Sequence, residues 1–131
     1  MIVLDTNALI RWVSNPGKLS RKARKAIDEE DKKQSIYVSS MTVLEIYTLL
    51  RKDRLELNTL QDSWLERIES IPSVTFIPID NQIIVQSVNL PDFPHKDPAD
   101  RIIIATALNL GARLITSDRK ILDYPHVQSM W

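Results

Sequence analysis

Short runs of apolar and β-branched residues alternate with longer amphipathic stretches along this chain. The runs are typical of buried strands and the stretches of helices. The predicted strands cover residues 2–4, 35–39, 74–77 and 113–116, with residues 127–131 as a short fifth strand at an edge. Such alternation is typical of a parallel sheet, because right-handed crossover connections place helices on both faces. We therefore expect an α/β fold with a parallel sheet of four to five strands.

The predicted helices begin and end at recognisable residues. Ser20 is placed to cap a helix that runs to about Lys33, and Gly111 stands where left-handed caps end the apolar helix 98–110. Further helices are predicted over residues 8–13, 42–52, 59–70 and 80–90. No linker or repeat divides the chain, and its 131 residues suit one hydrophobic core, so we expect a single domain over residues 1–131.

The composition excludes several classes of protein. Hydrophobic residues make up 44% of the chain and charged residues 26%, which suits a soluble domain with a packed core and not a disordered chain. The absence of cysteine excludes disulfides and thiolate metal sites. The first five residues do not resemble a signal peptide, and no apolar run approaches the roughly 18 residues of a membrane span. We expect a cytoplasmic protein with no membrane contact.

The charge balance is neutral, with seventeen basic and seventeen acidic residues, so net charge gives no signature of a nucleic-acid-binding protein. If Asp5, Glu45, Asp97, Asp100 and Asp118 gather at one site, the rest of the chain has 17 basic and 12 acidic residues, a remainder of +5. A basic rim around an acidic centre suits a phosphodiester substrate, because backbone charge dominates the binding of nucleic acids.

Asp5 and Asp118 each follow a predicted buried strand directly. Ligands of parallel α/β sheets bind beyond the carboxyl ends of the strands, so these two distant carboxylates are expected to converge. Each also has a simpler interpretation as a helix N-cap that accepts backbone hydrogen bonds, since a helix follows Asp5 and residues 119–122 can form a helical turn.

Glu45 is the only charged residue between Met41 and Leu50, and its i±4 neighbours, Met41 and Leu49, are both apolar. A carboxylate on a mostly buried helix is costly unless a cation or hydrogen bonds compensate it. Glu45 is therefore either part of a functional site or one half of a buried ion pair, for which Arg101 is the candidate partner.

Asp97 and Asp100 lie in a segment that reads as a helix start, with Asp97 at the cap and Pro98 at the first helical position. We interpret Asp97 as a cap. Asp100, in the first turn, is stabilised by the positive end of the helix dipole and can still point toward a metal. The helix behind it is apolar around its whole circumference, which predicts deep packing and a first turn near the sheet. His95, in the preceding loop, is placed outside the site.

Several carboxylates that converge in one cleft repel one another unless a cation neutralises them. Oxygen ligands without histidine or cysteine select Mg²⁺ or Mn²⁺ over zinc. Such ions bind phosphate oxygens, and when two metals lie about 4 Å apart, one can stabilise the attacking oxygen and the other the leaving oxygen. The residues thus predict a Mg²⁺- or Mn²⁺-dependent phosphodiesterase centre that is built from Asp5, Glu45, Asp100 and Asp118.

These motifs resemble those of the PIN-domain nucleases, and in particular the VapC-type toxins of toxin–antitoxin pairs. The likeness spans the chain from the first strand to residues 127–131. The matching segments are residues 2–7 with Asp5, Thr6 and Asn7, residues 40–46 with Glu45, residues 95–101 with Asp97 and Asp100, residues 104–107, and residues 114–118 with Thr116 and Asp118.

The resemblance implies an α/β/α sandwich in which Asp5, Asp100 and Asp118 bind Mg²⁺ or Mn²⁺ and Glu45 completes the acidic pocket. It implies supporting roles for four further residues: Asp97 through water, Thr116 through hydrogen bonding, and Thr6 and Asn7 beside the first aspartate. It also implies an endoribonuclease that cuts structured RNA such as tRNA or rRNA, a homodimer, and a cognate antitoxin whose tail occupies the cleft.

Two other classes with acids at strand ends fit less well. A receiver domain needs paired acids after the first strand, and a haloacid-type phosphatase needs two aspartates at positions i and i+2, where this chain has Asp5 and Asn7. The alternative that stays open is a non-catalytic module that keeps the acidic pocket and acts by holding RNA or protein.

Overall fold

The computed structural model describes residues 1–53 and 61–131. Its strands are β1 (Ile2–Leu4), β2 (Ile36–Ser39), β3 (Val74–Ile77), β4 (Arg113–Ile115) and β5 (Ser129–Met130). They form one sheet in the order β3-β2-β1-β4-β5, and every neighbouring pair is parallel. The predicted α/β class is confirmed, and the predicted short strand at the edge is β5.

The helices lie close to their predicted positions. They are α1 (Thr6–Ser14), α2 (Arg21–Lys32), α3 (Ser40–Arg51), α4 (Gln61–Glu69), α5 (Asn81–Val88), α6 (Pro98–Leu110) and α7 (Arg119–Leu122), with a 3₁₀ turn at Pro16–Lys18. Ser20 caps α2 by accepting from the Ala23 amide, and Gly111 ends α6 with φ = 65°. Thr59 and Leu60, where the fourth of these helices was predicted to begin, lie outside the described residues. In the described ranges, no helix is long and apolar enough to cross a membrane.

Helices cover both faces of the sheet. Successive side chains of a strand point to opposite faces, so one strand contributes to the core on each side. Ile2 and Leu4 of β1 pack in a core with Ile27 of α2 and Trp64 of α4. Val3, between them, packs in a second core with residues of α6 that include Ile103 and Ile104. The two cores give the three-layer sandwich, and the central part of α6 is deeply buried as predicted.

The carboxyl ends of three adjacent strands meet at one edge of the sheet. β1 lies between β2 and β4, and the Asp5 amide donates to the Ile115 carbonyl at 3.0 Å. The chain passes from β1 into α1 at Asp5 and from β2 directly into α3 at Ser39. After β4 it reaches α7 through Asp118. This edge therefore brings together segments that are far apart in sequence.

Candidate active site

Asp5 is a buried carboxylate with both oxygens engaged. Its side chain is the N-cap of α1, where Oδ1 accepts from the Thr6 amide at 2.8 Å. Its Oδ2 accepts from the Thr116 hydroxyl at 2.6 Å, and Thr116 is fully buried. Burial raises the pKa of Asp5 and these hydrogen bonds oppose the rise, while the negative charges of Asp100 and Asp118 add to it. The cap interpretation is correct, and it does not exclude Asp5 from the acidic cluster.

Glu45 is joined to Asp5 through a threonine. The Thr6 hydroxyl donates to Glu45 Oε1 at 2.6 Å, and the Thr6 and Thr42 hydroxyl oxygens lie 3.0 Å apart. Partial burial raises the pKa of Glu45, and the negative charges of Asp5 and Asp100 raise it further. Since the Thr6 hydroxyl has one proton and gives it to Glu45, Thr42 is the donor in the second contact.

The alternative that paired Glu45 with Arg101 is wrong. The Arg101 guanidinium donates to the backbone carbonyls of Ser87 at 3.0 Å, Phe93 at 2.7 Å and His95 at 2.7 Å. It thereby fastens the loop before α6 and has no contact with the acidic cluster. An arginine side chain offers five N–H donors in a planar fork, which suits three carbonyls of a turning backbone as well as a carboxylate.

The expectation that α3 is mostly buried is also wrong for one face. Leu44 is 61% exposed, and Thr48 is exposed on the next turn. These residues border a groove of about 380 Å³ between α3 and the start of α6, which Met41, Leu49 and Pro98 also line. Glu45 is therefore half-buried at the margin of this groove and is not enclosed by the core.

Asp100 and Asp118 share Lys120, a residue that is absent from the site predicted from the sequence. Lys120 Nζ lies 3.1 Å from Asp100 Oδ2 and 3.8 Å from Asp118 Oδ2. Burial raises the pKa of Asp100, and the Lys120 hydrogen bond opposes that rise. The same hydrogen bond raises the pKa of Lys120. The one feature of the sequence that could have indicated Lys120 is its position two residues after Asp118, close to the end of β4.

Asp118 and Asp97 are helix caps, and Asn7 is the last of the predicted site residues. Asp118 Oδ1 accepts from the Lys120 amide at 3.0 Å as the N-cap of α7, and its own amide donates to the Thr116 hydroxyl oxygen at 3.0 Å. Asp97 caps α6 through the Ala99 amide at 3.0 Å. Asn7 is exposed.

The five carboxylates are close enough to influence one another. Asp97 raises the pKa values of both Asp100 and Glu45, and Asp5, Asp100 and Asp118 are linked in the same way. In residues 1–53 and 61–131, however, no three His, Cys, Asp or Glu side chains already stand as a metal-ligand set. Threonine hydroxyls and the Lys120 ammonium hold the oxygens instead. The atoms of this cluster that could bind a metal are all carboxylate oxygens, and these are the ligands that Mg²⁺ and Mn²⁺ prefer.

The family model of the PIN domain matches residues 2–127. The chain belongs to the PIN-domain family, which confirms the resemblance inferred from its motifs. It is 32% identical over 126 residues to Ribonuclease VapC22 of Mycobacterium tuberculosis, covering 95% of this chain and 92% of that relative.

Solved structures show the same fold. One is FitAcB from Neisseria gonorrhoeae, with a TM-score of 0.70, 22% identity and coverage of 100% of this chain and 97% of that one. Another is VapBC2 from Rickettsia felis bound to a DNA fragment from their promoter, with a TM-score of 0.71, 18% identity and coverage of 99% and 98%. A third is a toxin-antitoxin complex from Klebsiella pneumoniae, with a TM-score of 0.66, 20% identity and coverage of 100% and 97%. At these identities the likeness establishes the fold alone.

Proposed function

We propose that this protein is a Mg²⁺- or Mn²⁺-dependent endoribonuclease and the toxin of a toxin–antitoxin pair. The observation that carries the proposal is the group of mutually interacting carboxylates at the carboxyl edge of the parallel sheet. Membership of the PIN-domain family and the similarity to a ribonuclease support it. Asp5, Glu45, Asp100 and Asp118 form the proposed active centre.

The proposed metal ligands are Asp5, Asp100 and Asp118, with Glu45 beside them and Asp97 acting through water. A bound Mg²⁺ or Mn²⁺ supplies Lewis-acid stabilisation of the charge on phosphate oxygens. The Thr116 hydroxyl orients Asp5 through its 2.6 Å hydrogen bond. Thr6 and Asn7 complete the motif, Thr6 through its bond to Glu45.

Glu45 is the proposed acceptor of a proton from the attacking water. Hydrolysis forms a bond between the water oxygen and phosphorus and breaks the bond from phosphorus to the leaving ribose oxygen, which takes a proton from solvent. A raised pKa suits a carboxylate for accepting the water's proton. Thr6 holds Oε1, while Oε2 receives no hydrogen bond from a described residue and is free to orient water.

The proposed substrate is structured RNA such as tRNA or rRNA, and the proposed location is the cytoplasm, where such RNA is found. Once the five clustered acids are set apart, the remaining residues carry an excess of positive charge. Binding of a polyanion beside an acidic centre requires such an excess.

The proposed antitoxin contact is the groove between α3 and α6. It presents Leu44, Met41 and Pro98 next to the carboxylates of Glu45 and Asp97. An antitoxin segment with an apolar side chain followed by a cation matches that lining, since one end of the groove is apolar and the other is acidic. One of the similar solved structures is a toxin-antitoxin complex.

The proposed homodimer contact is the outer face of α5. Ile84, Val85 and Val88 are 44%, 59% and 72% exposed, and α5 carries no charged residue. The cores of protein interfaces are depleted in charged residues in the same way. Val88→Asp is expected to convert a dimer into a monomer in size-exclusion chromatography with light scattering, and a wild-type monomer at micromolar concentration contradicts the proposal.

The direct test is RNA cleavage by the purified protein with Mn²⁺ or Mg²⁺. EDTA, Asp5→Asn and Glu45→Gln are each expected to abolish it, whereas Asp28→Asn on the exposed face of α2 keeps it. Cleavage that survives both EDTA and Asp5→Asn refutes the mechanism, and tight RNA binding without cleavage favours the non-catalytic module. Mapping the new RNA ends across total cellular RNA distinguishes tRNA from rRNA substrates.

A further inference from the structure

Arg11 is a half-buried cation on α1 that pairs with no carboxylate in the described part of the chain. Its guanidinium carbon lies 5.1 Å from the centre of the Trp131 ring, and its Nη1 donates to the Ser117 hydroxyl oxygen at 3.3 Å. The stacked ring and the hydroxyl set the position of the guanidinium without neutralising its charge.

The position of Arg11 is tied to the acidic cluster. Ser117 stands between Thr116, which donates to Asp5, and Asp118, which contacts Lys120. Along this chain of contacts, the guanidinium is within roughly 15 Å of the Asp5 carboxylate. Arg11 is thus near enough for one short RNA segment to reach both it and the active centre.

Two cations that follow β4, Lys120 and Arg119, are already paired with carboxylates. Lys120 is engaged by Asp100, and Arg119 lies 3.4 Å from Asp123. On the opposite side, the described residues that line the groove between α3 and α6 are apolar apart from Glu45, Thr48 and Asp97, and none of them is a lysine or arginine. A polyanion that leaves the centre through that groove meets the carboxylates of Glu45 and Asp97, whereas toward Trp131 it meets the guanidinium of Arg11.

We propose that Arg11 binds a backbone phosphate of the RNA substrate that flanks the scissile one, and that Trp131 and Ser117 position its guanidinium for that contact. The inference rests on the proposed ribonuclease function and gives the direction in which the strand leaves the centre. A guanidinium can hold a phosphate through two parallel N–H donors. One of the five N–H groups of Arg11 is used by Ser117, so this geometry remains available.

Binding is measured by fluorescence anisotropy with a labelled single-stranded oligoribonucleotide, on the Asp5→Asn background to prevent cleavage, over a range of salt concentrations. Arg11→Met is expected to weaken binding about tenfold and to reduce the slope of log Kd against log salt by about 0.7, the value for one phosphate contact on a single strand. Arg11→Lys keeps the slope and binds a few-fold more weakly than arginine. Arg67→Met, on the exposed face of α4, is the matched control and leaves both quantities unchanged.

The salt slope separates a phosphate contact from a structural role. If Arg11→Met lowers Tm and leaves the slope unchanged, Arg11 only fastens α1 to Trp131 and the proposal is overturned. With the full active site, Arg11→Met is expected to raise KM about tenfold and to leave kcat within about twofold, because the contact is distant from the reacting atoms. An unchanged KM also overturns it. Failure of the wild-type protein to cleave any RNA is a different result and removes the proposed function itself.

Discussion

Asp5→Asn is expected to make the metal-free protein more stable at neutral pH, although it replaces a buried, fully hydrogen-bonded side chain. Burial raises the pKa of Asp5 above its ordinary value of 3.8. A carboxyl group with a raised pKa stabilises the fold fully below the pKa of the unfolded chain, and this stability is lost as pH rises through the pKa of the folded state. Asparagine removes the charge and keeps the cap, since Asn and Asp are equally good N-caps.

The same variant is expected to lose the stabilisation that a divalent cation provides. At 100 times its dissociation constant, a cation that binds only the folded state contributes about 2.7 kcal/mol. With about 2.1 cal/mol/K of unfolding entropy for each of the 131 residues, this corresponds to a rise of about 10 °C in Tm. If Asp5→Asn weakens the affinity about 100-fold, the same Mn²⁺ concentration raises Tm by only about 1 to 2 °C.

The assay is thermal unfolding by circular dichroism from pH 4 to pH 8, with and without Mn²⁺, of the wild type, Asp5→Asn and the exposed control Asp28→Asn. We expect the stability advantage of Asp5→Asn without metal to grow with pH, and we expect Mn²⁺ to reverse the order of stability of the two proteins. Equal stability at every pH, with the same response to Mn²⁺ as the wild type, would falsify the view that Asp5 belongs to a charged metal site and leave it as a helix cap alone.

Three further predictions concern neighbouring groups. Lys120→Met removes the ammonium that competes for Asp100, so the Kd for Mn²⁺ is expected to fall several-fold in isothermal titration calorimetry; a higher Kd contradicts the competition. The ammonium of Met1 lowers the pKa of Glu30, so the ion pair stabilises the protein above pH 4.5, and this stabilisation is lost as pH falls through the lowered pKa. Glu30→Gln is therefore expected to reduce the pH dependence of the free energy of unfolding in urea below about pH 5, and an unchanged pH dependence argues against this. Arg101→Lys cannot satisfy three carbonyls and is expected to cost about 2 kcal/mol in urea unfolding; a loss of less than about 0.5 kcal/mol contradicts its role in the loop.

The elements of the fold could be predicted because their periodicity and boundary residues agree. Ile2, Val3 and Leu4 are apolar on both sides of the strand, as a central parallel strand requires when helices cover both faces. Gly111 and Pro98 mark the two ends of α6 correctly. Helix α3 begins at Ser40, two residues before its predicted start, because Ser39 both ends β2 and caps the helix and no separate turn marks the boundary.

The contacts of long side chains could not be predicted in the same way. Arg101 was a reasonable partner for Glu45 by charge, yet the loop before α6 presents three carbonyls within its reach. Lys120 contacts Asp100, and Arg11 contacts Ser117, from positions that carry no motif. Charge alone does not say which of several polar groups a flexible side chain will meet, because that depends on backbone directions that are settled only in the folded chain.

From the sequence, an aspartate after a strand is either a helix cap or a site residue. In this fold the same aspartate is both a cap and a member of the acidic cluster. Asp5, Asp97 and Asp118 each cap a helix whose N-terminus faces the carboxyl edge of the sheet. The positive end of a helix dipole favours a carboxylate there and so offsets part of the repulsion between neighbouring acids. The helix N-termini and one lysine can therefore hold a group of carboxylates together without a metal, while each cap leaves one carboxylate oxygen for other partners. On this argument, replacing the Asp118 cap with serine keeps α7 folded but removes a charge from the cluster. It should weaken Mn²⁺ binding far more than it lowers Tm, and a loss of Tm with unchanged Mn²⁺ affinity shows that the capping role is the only one.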